Sequence, residues 1–235
     1  MRNRHKSAWL NMRVGFLTIG ESPRKDVTDD LRRFLPEDLE IIEAGALDGL
    51  SKDYIREKLR PDPGDVLYVS RLRSGMEVEL SKKKLVGLMQ NKINWLNSLG
   101  VELIVILCTG EFPKFESKVP IVYPERILKG IASSVSVRGR VGVMIPRQEQ
   151  VDYAENKWGE FFEDVKVYPI SPYTSSLQDF TVVANKMLSE NVDLVIMDCI
   201  GYTSQQRDSV LKVLKRPVIA SRTVLARTLN ELLTL

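Results

Sequence analysis

From Arg13 onward, short runs rich in Val, Ile and Leu alternate with longer stretches whose apolar residues recur every three or four positions. No other feature constrains the fold as much. A buried strand followed by an amphipathic helix, repeated along a chain, is the signature of a parallel sheet with helices on its faces. Strands are expected at Arg13–Ile19, Leu39–Ala44, Asp65–Ser70, Glu102–Leu107, Val119–Val122, Arg140–Ile145, Val165–Ile170, Asp193–Asp198 and Pro217–Ala220, with Met76–Leu80 as an added antiparallel strand. Helices are expected at Arg24–Leu35, Lys52–Leu59, Ser81–Leu99, Pro124–Val135, Arg147–Phe162, Ser175–Leu188, Thr203–Leu214 and Arg222–Leu233, several opening on Pro, Ser or Thr. The Pro/Gly cluster at Pro61–Gly64 reads as a tight turn rather than a domain boundary. The fold class is therefore α/β.

A weak internal repeat runs through this pattern. N-S-L-G-V-E-L-I-V-I-L-C-T-G (Asn97–Gly110) aligns with L-S-E-N-V-D-L-V-I-M-D-C-I-G (Leu188–Gly201). The only two cysteines of the chain, Cys108 and Cys199, fall in register, each two residues before a glycine. Upstream, R-V-G-F-L-T-I at Arg13 resembles R-V-G-V-M-I-P at Arg140. Each half thus contributes an Arg-Val-Gly strand and a later strand ending in cysteine. The first half is longer by about 36 residues, placed between Ala44 and Glu79. Buried parallel strands draw on the same few residues, so chance similarity is the competing explanation. The shared cysteine register weighs against it.

Composition narrows the chemistry. With 43% hydrophobic and 28% charged residues, 235 residues suffice for a full core. Apolar runs stop well short of the roughly 20 residues that span a bilayer, and no signal-like segment opens the chain. A cytoplasmic protein without a membrane partner is expected. The net charge of +3 is matched by Arg2, Arg4 and Lys6, in a leader that lacks the stacking aromatics of a nucleic-acid binder, so no nucleic-acid partner is expected. The leader reads as a disordered extension. It also holds the single histidine, His5, which leaves the folded body without a histidine base or zinc ligand. No metal and no cofactor are expected.

At the carboxyl ends of parallel strands, helix N-termini offer free N–H groups to ligands. A thiol there is expected to have its pKa lowered from about 8.5 and to serve as base or nucleophile. If the halves face each other, one thiol removes a proton from a substrate carbon and the other returns one to the opposite face. Two alternatives stay open: both cysteines are small buried core residues, or oxidation joins them as a redox switch.

The phrases R-V-G-F-L-T-I-G-E-S-P-R (Arg13–Arg24), E-A-G-A-L-D-G-L (Glu43–Leu50), P-E-R-I-L (Pro124–Leu128), V-G-V-M-I-P (Val141–Pro146) and V-I-M-D-C-I-G-Y (Val195–Tyr202) together resemble the AroM family. That family is similar in architecture to the aspartate/glutamate/hydantoin racemase superfamily. The resemblance implies two pseudo-symmetric lobes with mainly parallel sheets flanked by helices, and an active site in the cleft between them. It also implies a cofactor-independent acid/base pair at Cys108 and Cys199. Amino-acid racemases usually continue their two cysteines with Asn-Thr and Thr-His, and open on an Asp-Ser-Gly loop. Here the sequence reads C-T-G, C-I-G-Y and T-I-G-E-S-P-R, so the residues that grip an α-amino acid are replaced.

The expected division is a leader over 1–12, a first lobe of 13–100 with 203–235, and a second lobe of 101–202. The expected ligand is a small carboxylate, held by Thr18, Gly20, Ser22, Arg24 and Arg71 of the first lobe and by Thr109, Gly110, Gly201 and Tyr202 beside the cysteines. Ser22-Pro23 is equally well a helix start, and for Arg71 and Arg73 a solvated turn is the more common fate. Asp198 either faces away or raises the pKa of the neighbouring thiol. Two functions compete: an enzyme moving a proton at carbon (a racemase, epimerase, isomerase or decarboxylase), and a non-catalytic sensor of a metabolite that has kept the cleft. A homodimer is left open.

Overall fold

The computed structural model describes residues 12–234; the expected leader up to residue 11, with His5, lies outside the described residues. In the first half, β1 (Arg13–Thr18), α1 (Lys25–Arg32) and β2 (Glu40–Gly45) are followed by α2 (Lys52–Lys58), the hairpin β3 (Leu67–Arg71) and β4 (Glu77–Ser81), then α3 (Lys82–Ser98), β5 (Leu103–Ile106), β6 (Ile121–Val122) and α4 (Pro124–Ser134). The second half runs β7 (Arg140–Ile145), α5 (Val151–Gly159), β8 (Val165–Pro169), α6 (Leu177–Ser189), β9 (Val192–Met197), α7 (Ser204–Leu214), β10 (Val218–Ala220) and α8 (Ser221–Leu233).

Two four-stranded parallel sheets result, ordered β2-β1-β5-β6 and β8-β7-β9-β10. The orders are the same when the halves are superposed in sequence: each Arg-Val-Gly strand is central and pairs with the strand that leads to a cysteine. The inserted segment of the first half is α2 with the antiparallel β3–β4 hairpin. In place of α7, the first half has an irregular stretch between β5 and β6, packed by Phe112 and Phe115 against Tyr123.

The lobe boundary differs from the one expected. β5 and β6 complete the first sheet, and α7 and β10 belong with the second. Of the 203–235 segment only α8 keeps its expected place, with Leu225, Leu229 and Leu233 packed on Val14, Phe16, Leu103 and Val105 of the first sheet. In return, Leu128 and Ala132 of α4 pack on Val141, Val143 and Ile196 of the second. Each half closes the other's core with its last helix. Strand periodicity carries no information on which sheet a strand joins, which is why the boundary was misplaced.

Elsewhere the differences lie at element ends. α1 stops at Arg32, and the helix expected from Arg147 opens as a 3₁₀ turn at Gln148–Gln150. Among the described residues, no helix is long and apolar enough to cross a membrane.

Candidate active site

Cys108 and Cys199 line the same cavity, of about 40 Å³, at the carboxyl ends of β5 and β9. Both halves contribute to its walls. Ile19, Arg24 and Thr109 come from the first lobe, Tyr68 and Ser70 from the inserted hairpin, and Tyr153, Lys157, Tyr173 and Asp198 from the second lobe. Volume on this scale admits a few water-sized groups.

The two thiols have matching surroundings. The amide of Gly110 donates to Cys108 Sγ at 3.3 Å, and the amide of Gly201 donates to Cys199 Sγ at 3.3 Å. Each glycine is covered by a tyrosine ring: a Cβ on Gly110 would meet the Tyr68 ring at 2.4 Å, and one on Gly201 the Tyr173 hydroxyl at 2.6 Å. The internal repeat is thus a repeat of thiol, amide and ring, and glycine is the residue that fits beneath each ring.

The thiol pKa values move opposite to the sequence expectation. Burial pushes Cys108 up to about 12 and Cys199 up to about 11. The Gly110 and Gly201 amides oppose the shift, as do Lys157 for Cys108 and Arg24 for Cys199; the charge of Asp198 raises both. No helix starts directly at either thiol: α7 begins at Ser204 behind its Thr203 cap, and the residues after Cys108 are irregular. Desolvation wins over the weak dipole that remains.

Arg24 is the buried cation on the first-lobe wall. Its Nε and one terminal nitrogen grip both carboxylate oxygens of Asp26, each at 2.8 Å. The other terminal nitrogen reaches Thr18 and Ser70 only at 3.4 Å. Such long contacts leave it the best placed donor for a ligand carboxylate. Opposite stands a buried ion pair: Lys157 Nζ donates to Asp198 Oδ2 at 2.8 Å and to the Thr109 carbonyl at 3.1 Å. The Trp158 indole donates to the same Oδ2 at 2.8 Å.

Of the residues expected at the site, Cys108, Cys199, Arg24 and Thr109 line the cavity, as does Gly110. The others stand behind it. Thr18 accepts from the Gly20 amide, and Gly20 packs against the Arg71 carbonyl. Ser22 donates its hydroxyl and amide to Asp48, and its peptide to Pro23 is cis. Arg71 donates to the Gly75 carbonyl and lies over the Tyr173 ring. Gly201 meets the thiol through its amide, and Tyr202 is fully buried, donating to the Ile170 carbonyl. Arg73 donates to the Ser22 carbonyl. Asp198, undecided in sequence, lines the cavity.

Sequence reasoning missed Tyr68, Tyr153, Lys157 and Tyr173. Lys157 had one usable signal, its place on the face of α5 that also buries Ala154 and Trp158. The tyrosines had none: Tyr68 arrives from the hairpin, Tyr173 from the loop after β8, and Tyr153 is one aromatic among several on and around α5. Among the described residues, no group of three or more His, Cys, Asp or Glu is placed to hold a metal ion.

Solved structures with this architecture share little sequence with it. Glutamate racemase from Francisella tularensis subsp. tularensis SCHU S4, in complex with D-glutamate, is 16% identical with a TM-score of 0.57, over 94% of this chain and 80% of that one. Maleate isomerase Iso from Pseudomonas putida S16 is 16% identical with a TM-score of 0.57, over 94% and 93%. Unliganded arylmalonate decarboxylase is 13% identical with a TM-score of 0.59, over 94% and 92%. The likeness is one of fold: two pseudo-symmetric α/β lobes around a cleft. No curated protein matches the chain in sequence. The family model described as AroM protein matches residues 14–233, and the chain belongs to that family.

Proposed function

We propose that this protein is a cofactor-independent enzyme that moves a proton at a carbon of a small carboxylate substrate, with Cys108 and Cys199 as the acid/base pair. The observation that carries the reading is the pairing itself: two thiols in sequence register, each held by the amide two residues on, walling one cavity. One thiolate takes the proton from carbon, the charge spreads into the adjoining carboxyl group, and the other thiol delivers its proton to the opposite face. The pair ends with its protonation states exchanged. Arg24 holds the carboxylate.

The solved structures of this fold include a racemase, an isomerase and a decarboxylase, so the fold does not choose among reactions. The raised thiol pKa values cut both ways. A thiolate formed here is a strong base, yet at pH 7 the raised pKa keeps Cys199 almost wholly protonated. That scarcity favours the second reading, a metabolite sensor with a racemase-like cleft. The cavity is also small, so a substrate of more than a few heavy atoms enters only when the hairpin moves away.

Deuterium washout decides between them. The protein is incubated in D₂O with chiral carboxylates, beside Cys108→Ser and Cys199→Ser. Exchange at carbon that either substitution abolishes is the expected result. Binding without exchange in the wild type would replace the enzyme with the sensor.

A further inference from the structure

The two rings that cover the glycines do not use their hydroxyls alike. Tyr68, whose ring carbons stand nearest above Gly110, donates its hydroxyl at 2.8 Å to the Glu111 carbonyl. Above Gly201 it is the Tyr173 hydroxyl oxygen itself that stands nearest. That oxygen accepts from Arg24 at 3.5 Å, and among the described residues its proton goes to no protein oxygen or nitrogen. The Gly201 amide beneath it donates to Cys199 Sγ, and both Tyr173 and Cys199 line the cavity. A donor with no other taker therefore stands beside one thiol of the pair. Burial is the largest influence on the Cys199 pKa and raises it; the Gly201 amide, the Arg24 charge and a hydrogen bond from Tyr173 oppose it. At Cys108 burial is opposed by the Gly110 amide and the Lys157 charge.

Charge alone does not keep the thiols different once a ligand arrives. Lys157 is already paired with Asp198, and a carboxylate held by Arg24 offsets the cation beside Cys199. What stays unequal is the hydroxyl. We propose that Tyr173 is a catalytic residue: its hydroxyl donates to the Cys199 thiolate, making Cys199 the base that takes the substrate proton and Cys108 the acid that returns one. This rests on the two-thiol reading of the cavity and gives it a direction. The C–H electron pair stays on carbon as Cys199 gains the proton, and the S–H bond of Cys108 breaks as the new C–H bond forms. Tyr173 keeps its own proton, because burial and then the charge of Cys199 push its pKa above the ordinary tyrosine range.

The test needs no substrate. The chain has two cysteines, so full-length protein enriched with carbon-13 at cysteine Cβ gives two resonances, assigned with Cys108→Ser and Cys199→Ser. Each reports its own thiolate fraction as the pH is raised. In the wild type Cys199 ionises ahead of Cys108. Tyr173→Phe lowers the Cys199 thiolate fraction at a given pH about tenfold, the effect of losing one hydrogen bond to a charge. Tyr68→Phe does not lower the Cys108 fraction, because that hydroxyl is bound elsewhere. A general loosening of the site has the opposite sign, since water reaching the thiols raises both fractions. Cys108 ionising first, or together with Cys199, in the wild type overturns the proposal without recourse to a variant. So does a Cys199 fraction that Tyr173→Phe leaves unchanged or raises, or an equal loss at Cys108 in Tyr68→Phe. Deuterium washout is blind to the order of ionisation, so either experiment can fail while the other holds.

Discussion

Cys199 is where the residue-scale physics is sharpest. Its thiol is buried, its pKa is raised to about 11, and its partner Cys108 is raised to about 12. Alkylation requires the thiolate. The rate of Cys199 modification by iodoacetamide is therefore expected to climb about tenfold per pH unit between pH 7 and 10, with no plateau. Levelling near pH 8.5 would show an ordinary solvated thiol. Stability carries the same sign. Because the folded pKa lies above the unfolded value, the contribution is fully present below about pH 9 and is lost as pH rises through about 11; for Cys199 the loss by pH 10 is on the order of 1 kcal/mol. The ion pair in the cavity wall makes a second prediction. Lys157→Met strands the Asp198 carboxylate and is expected to cost about 3–5 kcal/mol in urea unfolding. Adding Asp198→Asn to it should recover a large part, since the stranded charge is gone; equal or additive losses would mean that the pair is not coupled. These charges show why the site was only half legible. Cys108, Cys199 and Arg24 stood out by register or by loop position, whereas Lys157 looks in sequence like any cation on an amphipathic helix.

At the scale of elements, the inserted hairpin is the part that departs from the repeat and the part that shuts the cleft. β3 supplies Tyr68, Val69 and Ser70 to the cavity wall. The hairpin is held to the second lobe at both strands: Gln150 donates to the Leu67 carbonyl at 3.1 Å, while Glu77 accepts from Ser171 at 2.8 Å and pairs with Arg147. Glu77→Gln removes the charge from that clasp. It is expected to raise the Cys199 alkylation rate at fixed pH several-fold and to speed hydrogen exchange in β3 and β4, leaving β7 protected. An unchanged alkylation rate would mean that the hairpin is not what limits access. The strands themselves were plain in sequence because burial and period leave a local mark. Where the hairpin docks was not, because the clasp joins residues 70 to 94 positions apart and neither end has a pattern of its own.

For the whole molecule, the exchange of last helices matters more than the symmetry. α8 covers the first sheet and α4 the second, and the two helices touch. Neither lobe has a complete core without a helix that follows the other's strands, so the two are expected to unfold together despite their separate sheets. Leu229→Ala, in α8 against the first sheet, and Leu128→Ala, in α4 against the second, are each expected to cost about 2–5 kcal/mol. The informative measurement is native-state hydrogen exchange in β1 and β7. If cooperativity spans the molecule, either substitution lowers protection in both strands by the same amount. A loss confined to β1 in Leu229→Ala, with β7 intact, would show two independent folding units. The distinction bears on chemistry, because a cleft between lobes that share their cores is opened by its hairpin, whereas one between independent lobes is opened by a hinge.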